Sequence, residues 1–119
     1  MLMEFSPNAA APLCAGPDPH PKAPAFKLPP GATDTHFHIF GPMAQYGFSE
    51  QRIYTPPDAL LADWQRLASA LGVMRGVIVQ PSVYGTDNRV TLANLKVMKN
   101  QWRAVVVVED SITDRELEA

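Results

Sequence analysis

The chain has 119 residues, 46% of them hydrophobic, and a formal net charge of −2, which bounds it to about one ordinary globular domain. Its Lys and Arg residues are scattered singly, without the basic stripe that binds nucleic acid or an anionic membrane, so neither is an expected partner. The longest strongly apolar run, residues 105–108, is too short to cross a bilayer.

The N-terminal Met-Leu-Met-Glu-Phe-Ser-Pro lacks the basic and apolar regions of a signal peptide. Cys14 is the single cysteine and cannot close an internal disulfide, so a cytoplasmic location is the default expectation. Residues 1–30 hold eight of the twelve prolines. Proline fixes φ and removes a backbone donor, so this stretch is expected to be a separate arm, disordered or laid on the surface. Cys14 and His20 lie in it, and neither is expected to do chemistry.

A domain over residues 31–119 should follow. Its first strand is expected over residues 32–40, after Pro29-Pro30-Gly31. Alternation along a strand would put Asp34, His36 and His38 on one face, and Thr35, Phe37 and Ile39 on the face that a packed layer covers. Two imidazoles spaced this way can aim at one point, either a shared metal ion or a shared substrate group. Hydrogen-bonded surface histidines are the plainer alternative. Asp34 in register could orient a histidine or lie deeper with a paired charge.

A loop of about 15 residues comes next, with Tyr46, Phe48 and Tyr54, long enough to suggest a binding loop. Thr55-Pro56-Pro57-Asp58 then offers a helix start: Thr55 as cap, Pro56 in the first turn, Asp58 at the positive end of the dipole. Leu60, Leu61, Trp64, Leu67, Ala68 and Leu71 recur at helical spacing, and Gly72 ends the helix. A second strand is expected over residues 75–80, and its β-branched run suggests cover on both faces. A second helix over residues 89–100 would start from Thr86, Asp87 and Asn88. A third strand over residues 104–108 follows, and Thr113 and Glu116 have the spacing of a capping box for a third helix.

Alternating strands and helices mean a parallel sheet with right-handed crossovers. A closed eight-stranded barrel needs about 250 residues. The chain is therefore expected to be either a small three-stranded α/β domain or, the favoured reading, the N-terminal part of something larger.

The segment Pro-Pro-Gly-Ala-Thr-Asp-Thr-His-Phe-His-Ile-Phe-Gly-Pro at 29–42, with Tyr-Thr-Pro-Pro-Asp-Ala at 54–59, resembles the start of the amidohydrolase superfamily. Within it, Val79-Gln80-Pro81-Ser82-Val83-Tyr84-Gly85-Thr86-Asp87-Asn88 is similar to the "amidohydrolase 2" branch, which holds 2-pyrone-4,6-dicarboxylate lactonase and related sugar-lactone and muconolactone hydrolases. The resemblance covers about residues 12–119. It implies an incomplete (β/α)8 TIM barrel and hydrolysis of a small carboxylated lactone or similar ring ester. By the same resemblance His36 and His38 are the catalytic and metal-binding residues, holding a divalent ion such as zinc, or lining a metal-free site as in the pyrone lactonase. Tyr54 and Ser82 match substrate contacts. Gly85, Thr86, Asp87 and Asn88 form an adjoining loop whose amides could receive a substrate carboxylate.

Each has a plainer reading: Tyr54 as a packed loop aromatic, Asp87 and Asn88 as helix caps. The family's further histidines, its substrate-gripping arginines and its eighth-strand aspartate have no counterpart in these 119 residues, and neither Glu109 nor Asp110 is an evident replacement. The alternative to a hydrolase is thus a non-catalytic fragment or interaction module, self-associating through an open sheet edge or needing a partner chain.

Overall fold

A three-stranded parallel sheet organises residues 11–119, the part of the chain that the computed structural model describes. Residues 1–10 of the Pro-rich arm lie outside the described residues. Strand β1 (Thr33–Phe37) pairs with β2 (Arg75–Val79), and β2 with β3 (Trp102–Val105), in the order β1-β2-β3. Helix α1 (Leu61–Leu71) joins the first two strands, α2 (Arg89–Val97) the second two, and a short α3 (Asp114–Glu118) follows β3.

One face of the sheet is covered. Gly76 and Ile78 of β2 stand opposite Trp102 and Ala104 of β3, so these four share that face. Phe37 joins them from β1, in register with Ile78. Phe37, Trp64 of α1 and Trp102 form a three-ring cluster with centroids 4.7–4.9 Å apart. Gly76 is required there, because a Cβ on it would stand 2.5 Å from a Phe37 ring carbon. The opposite face, with Val77, Val79, Arg103 and Val105, has no described layer over it, and Val105 is half exposed. Cover on both faces, expected from the β-branched run of β2, is thus not found among the described residues.

Four other sequence expectations are corrected. The register between β1 and β2 slips by one residue between Asp34 and Phe37. An extra residue in one strand reverses the facing of everything before it. Asp34 therefore turns to the covered face, where its Oδ2 accepts the Trp64 indole N–H at 3.2 Å, and it does not share a face with the histidines. Helix α1 begins later than Thr55 would dictate. The capping contact comes from Asp63, whose carboxylate accepts the Leu60 N–H at 2.8 Å. Its apolar stripe and its left-handed Gly72 terminus (φ 79°) are as expected, with Trp64 and Ala68 buried. Helix α2 stops at Val97, short of residue 100. Finally, β3 is shifted: it starts at Trp102 and pairing ends at Val105, leaving Val106, Val107 and Val108 outside the ladder.

Residues 11–18 run across the surface against residues 55–57. Leu13 forms an isolated parallel bridge with Thr55, and Gly16 approaches Pro57.

Candidate active site

The histidines lie where β1 ends and the chain turns into the long loop. His36 and His38 flank buried Phe37 and project to the face opposite it. Their ring centroids are 5.1 Å apart, with the planes nearly perpendicular. His38 is half-buried, and its Nδ1 lies 2.8 Å from the Val79 carbonyl oxygen at the end of β2. A carbonyl only accepts, so Nδ1 carries a hydrogen, and Nε2 is the ring nitrogen left to face a ligand. A metal-binding histidine has the same arrangement, one nitrogen fixed by a backbone carbonyl and the other turned to the ion. His36 is exposed, and the bond it makes is a backbone one, its N–H donating to Asp34 Oδ1 at 3.2 Å. Asp34 thus fixes the backbone of the pair and orients neither ring.

From His38 an aromatic path leads to the loop. The Phe40 ring is 5.8 Å from His38, and Tyr54 stands edge-on to Phe40 at 6.3 Å. Tyr54 is half-buried, and among the described residues no group hydrogen-bonds its hydroxyl. Ser82 is exposed at the start of a single 3₁₀ turn, Ser82–Tyr84, just beyond β2. Both therefore sit at the carboxyl end of the strands, their hydroxyls without a hydrogen-bond partner among the described residues, at the edge where parallel α/β folds place their ligands.

The Gly85–Asn88 loop is held by a residue that sequence reasoning assigned no role. Gln80 is buried at the end of β2. Its side-chain amide donates to the Gly85 and Asp87 carbonyls at 3.1 and 2.9 Å, and its Oε1 accepts the Thr91 hydroxyl of α2 at 2.6 Å. Its position directly after a buried strand was the available signal, since a buried carboxamide must find partners. Tyr84 is a second such anchor: its buried hydroxyl accepts the Gly41 N–H at 2.7 Å, tying the loop after β1 to the loop after β2. Burial pushes the Tyr84 phenol above its ordinary pKa, against the lowering effect of the Gly41 bond.

Asp87 and Asn88 are engaged by neighbours. Asp87 accepts from Arg89 through both carboxylate oxygens at 2.8–3.1 Å, and through Oδ1 from the Arg89 backbone N–H. The Arg89 guanidinium holds the carboxyl below its ordinary pKa. Asn88 makes no side-chain cap of its own helix. Its carboxamide instead pairs with the backbone N–H and carbonyl of Val107 at 3.1 and 2.7 Å, joining this loop to the one after β3. Beside the loop runs an open groove of about 600 Å³, with Glu50, Asp87 and Glu109 in its lining. Of these, Asp87 is already paired with the Arg89 guanidinium, and the Arg89 amide at the start of α2 also holds it.

The described residues contain no group of three or more His, Cys, Asp or Glu that could hold a metal ion. The two histidines suit a divalent ion by chemistry and by the fixed His38 tautomer, but they make only part of a zinc site, which takes at least three protein ligands.

A parallel α/β sheet with one helix-covered face, and paired histidines at its carboxyl edge on the other, is the arrangement of the opening strand–helix units of an α/β barrel. Residues 33–119 match the amidohydrolase family model, and the chain belongs to that family. It is 43% identical over 103 residues to a 4-sulfomuconolactone hydrolase of Hydrogenophaga intermedia, covering 87% of this chain and 34% of that protein. It is 42% identical over 99 residues to a 2-pyrone-4,6-dicarboxylate hydrolase of Comamonas testosteroni, covering 83% of this chain and 32% of that protein. Among solved structures, an Agrobacterium tumefaciens protein without ligand superposes with a TM-score of 0.72 at 32% identity, covering 81% of this chain and 35% of the other. The chain thus spans about a third of the length of the curated relatives it matches. Its fold is an incomplete (β/α)8 barrel with three of the parallel strands.

Proposed function

We propose that this chain carries the first-strand part of a lactone-hydrolysing site, in which His36 and His38 face the reacting ring ester of a small carboxylated lactone. The observation that carries the reading is the fixed His38 ring: Nδ1 on the Val79 carbonyl, Nε2 free, and His36 beside it at the edge where barrel enzymes react. The names of relatives more than 40% identical support the substrate class. His38 would act through Nε2 as a ligand or as a proton acceptor. A divalent ion held by the pair would polarise the lactone carbonyl or acidify a bound water. Tyr54 and Ser82 offer hydroxyls to the ring ester, and Thr86 lines the neighbouring groove. Asp87 and Asn88 shape the loop that carries it. The cytoplasmic location belongs to the same reading.

The test restores a whole barrel. Residues 33–119 replace the matching segment of the Comamonas testosteroni relative, and opening of 2-pyrone-4,6-dicarboxylate is followed by absorbance. A folded chimera that hydrolyses the lactone supports the reading; a folded chimera without activity refutes it.

A second reading concerns the 119-residue chain by itself, as an interaction module. Both β1 and β3 are edge strands in the described sheet, and Val105–Val108 are each 40–51% exposed. Such edges pair with further strands. Sedimentation of the purified chain should show association; a monomer across the concentration range would refute it.

A further inference from the structure

The Pro-rich arm has no place in the reaction so far, yet among the described residues its hydrogen bonds to the loop all go to one residue. Thr55 donates its N–H to the Pro12 carbonyl at 2.8 Å, and its carbonyl accepts the Cys14 N–H at 3.2 Å. Its hydroxyl donates to the Ala11 carbonyl at 2.9 Å and accepts from Arg52 Nε at 3.0 Å. Every polar group of Thr55 is thus held by the arm or by Arg52. The attachment is one of hydrogen bonds rather than apolar contact, because the Leu13 side chain is 84% exposed. Arg52 extends the grip into the loop by donating to the Ser49 carbonyl at 3.3 Å and lying 5.5 Å over the Phe48 ring. The residue before Thr55 is Tyr54, whose ring leans on Phe40.

We propose that residues 11–14 are a strap that positions Tyr54 against Phe40, the ring that also neighbours His38, with Thr55 as the positioning residue. The proposal rests on the lactonase reading only in taking Tyr54 as substrate-facing; the strap itself is a statement about this chain. A tyrosine on a long loop has many orientations. Fixing the backbone one residue away, on both its N–H and its carbonyl, selects one of them before substrate arrives, which is what preorganisation requires. Without the strap the loop keeps its bonds from Ser49 to Val83, from Met43 to Asp58 and between Phe40 and Ala59, none of which involves Tyr54 or Thr55.

The test uses the full chain, nuclear magnetic resonance of the Tyr54 ring, and amide exchange. Thr55→Val keeps the β-branched shape and removes the hydroxyl, whereas Thr55→Ser keeps the hydroxyl. In Thr55→Val the Cys14 and Thr55 amides should exchange at least about ten-fold faster, with Ile78 of β2 unchanged. The Tyr54 ring signals should move toward solvent-averaged values. Thr55→Ser should restore both. An unmoved Tyr54 ring in Thr55→Val, or a Thr55→Ser that behaves like Thr55→Val, overturns the proposal. Should Thr55→Val also lose Ile78 protection, the unaltered chain in increasing urea decides. The Cys14 amide and Tyr54 ring should then change together, ahead of Ile78. A Tyr54 ring that changes only with Ile78 refutes the strap. None of these readouts needs a substrate, so the strap and the lactonase reading can fail separately.

Discussion

The two faces of the sheet are built by opposite means. On the covered face Phe37 and Trp102 meet Trp64 of α1, and three aromatic rings within 5 Å fill the space beneath a glycine that leaves room for them. On the other face His36, Val77, Val79 and Val105 stand with no described layer over them. The first face can be bought by any close-packed apolar set. The second keeps its histidines only because the strands are already held from behind. The packed core and the candidate site are thus separated by the alternation of a strand, and the register slip in β1 sorts Asp34 to the packed side.

Substitutions should respect that division. The largest effect is expected for Trp102→Ala, which empties the centre of the ring cluster and should destabilise the chain by about 4 kcal/mol in urea unfolding. A loss as small as a surface change would mean that the ring cluster does not organise the fold. Gln80→Leu comes next: it strands the Gly85 and Asp87 carbonyls and the Thr91 hydroxyl, at a cost of about 3 kcal/mol by the same measurement.

Tyr84 gives the packed side a pH dependence. Its folded pKa is raised by burial, so the neutral phenol is the form the fold favours. That contribution is complete below the unfolded value near 10 and fades as pH rises through the folded value. The urea midpoint should fall more steeply above about pH 10 in the unaltered chain than in Tyr84→Phe. At neutral pH Tyr84→Phe should cost about 1 kcal/mol, for the lost Gly41 bond. Parallel alkaline slopes would show that the phenol is not the group responsible. The smallest effect belongs to the uncovered face, where Val105→Thr should change stability by less than about 0.5 kcal/mol. A larger loss would reveal packing on that face.

Much of this was legible in the sequence. The strand–helix alternation, the stripe of α1, the Gly72 terminus and the Thr113–Glu116 box are local patterns, and local physics sets them. The histidine pair was legible too, because period-two alternation holds between His36 and His38. What failed depended on partners distant in sequence. The facing of Asp34 is decided by register against β2, and Thr55 loses its cap role to the arm more than forty residues earlier. The strong β propensity of Val106–Val108 does not place them in the ladder, since pairing with β2 ends at Val105. Gln80 looked like a strand terminus, and only the folded loop shows that it has three partners.

The most direct test of the division between faces is His38→Gln in the folded chimera, with lactone hydrolysis and urea unfolding measured on the same sample. The rate should fall at least about 100-fold with an unchanged urea midpoint. A rate within about three-fold of the parent, or a loss that merely tracks a drop in the midpoint, would contradict it.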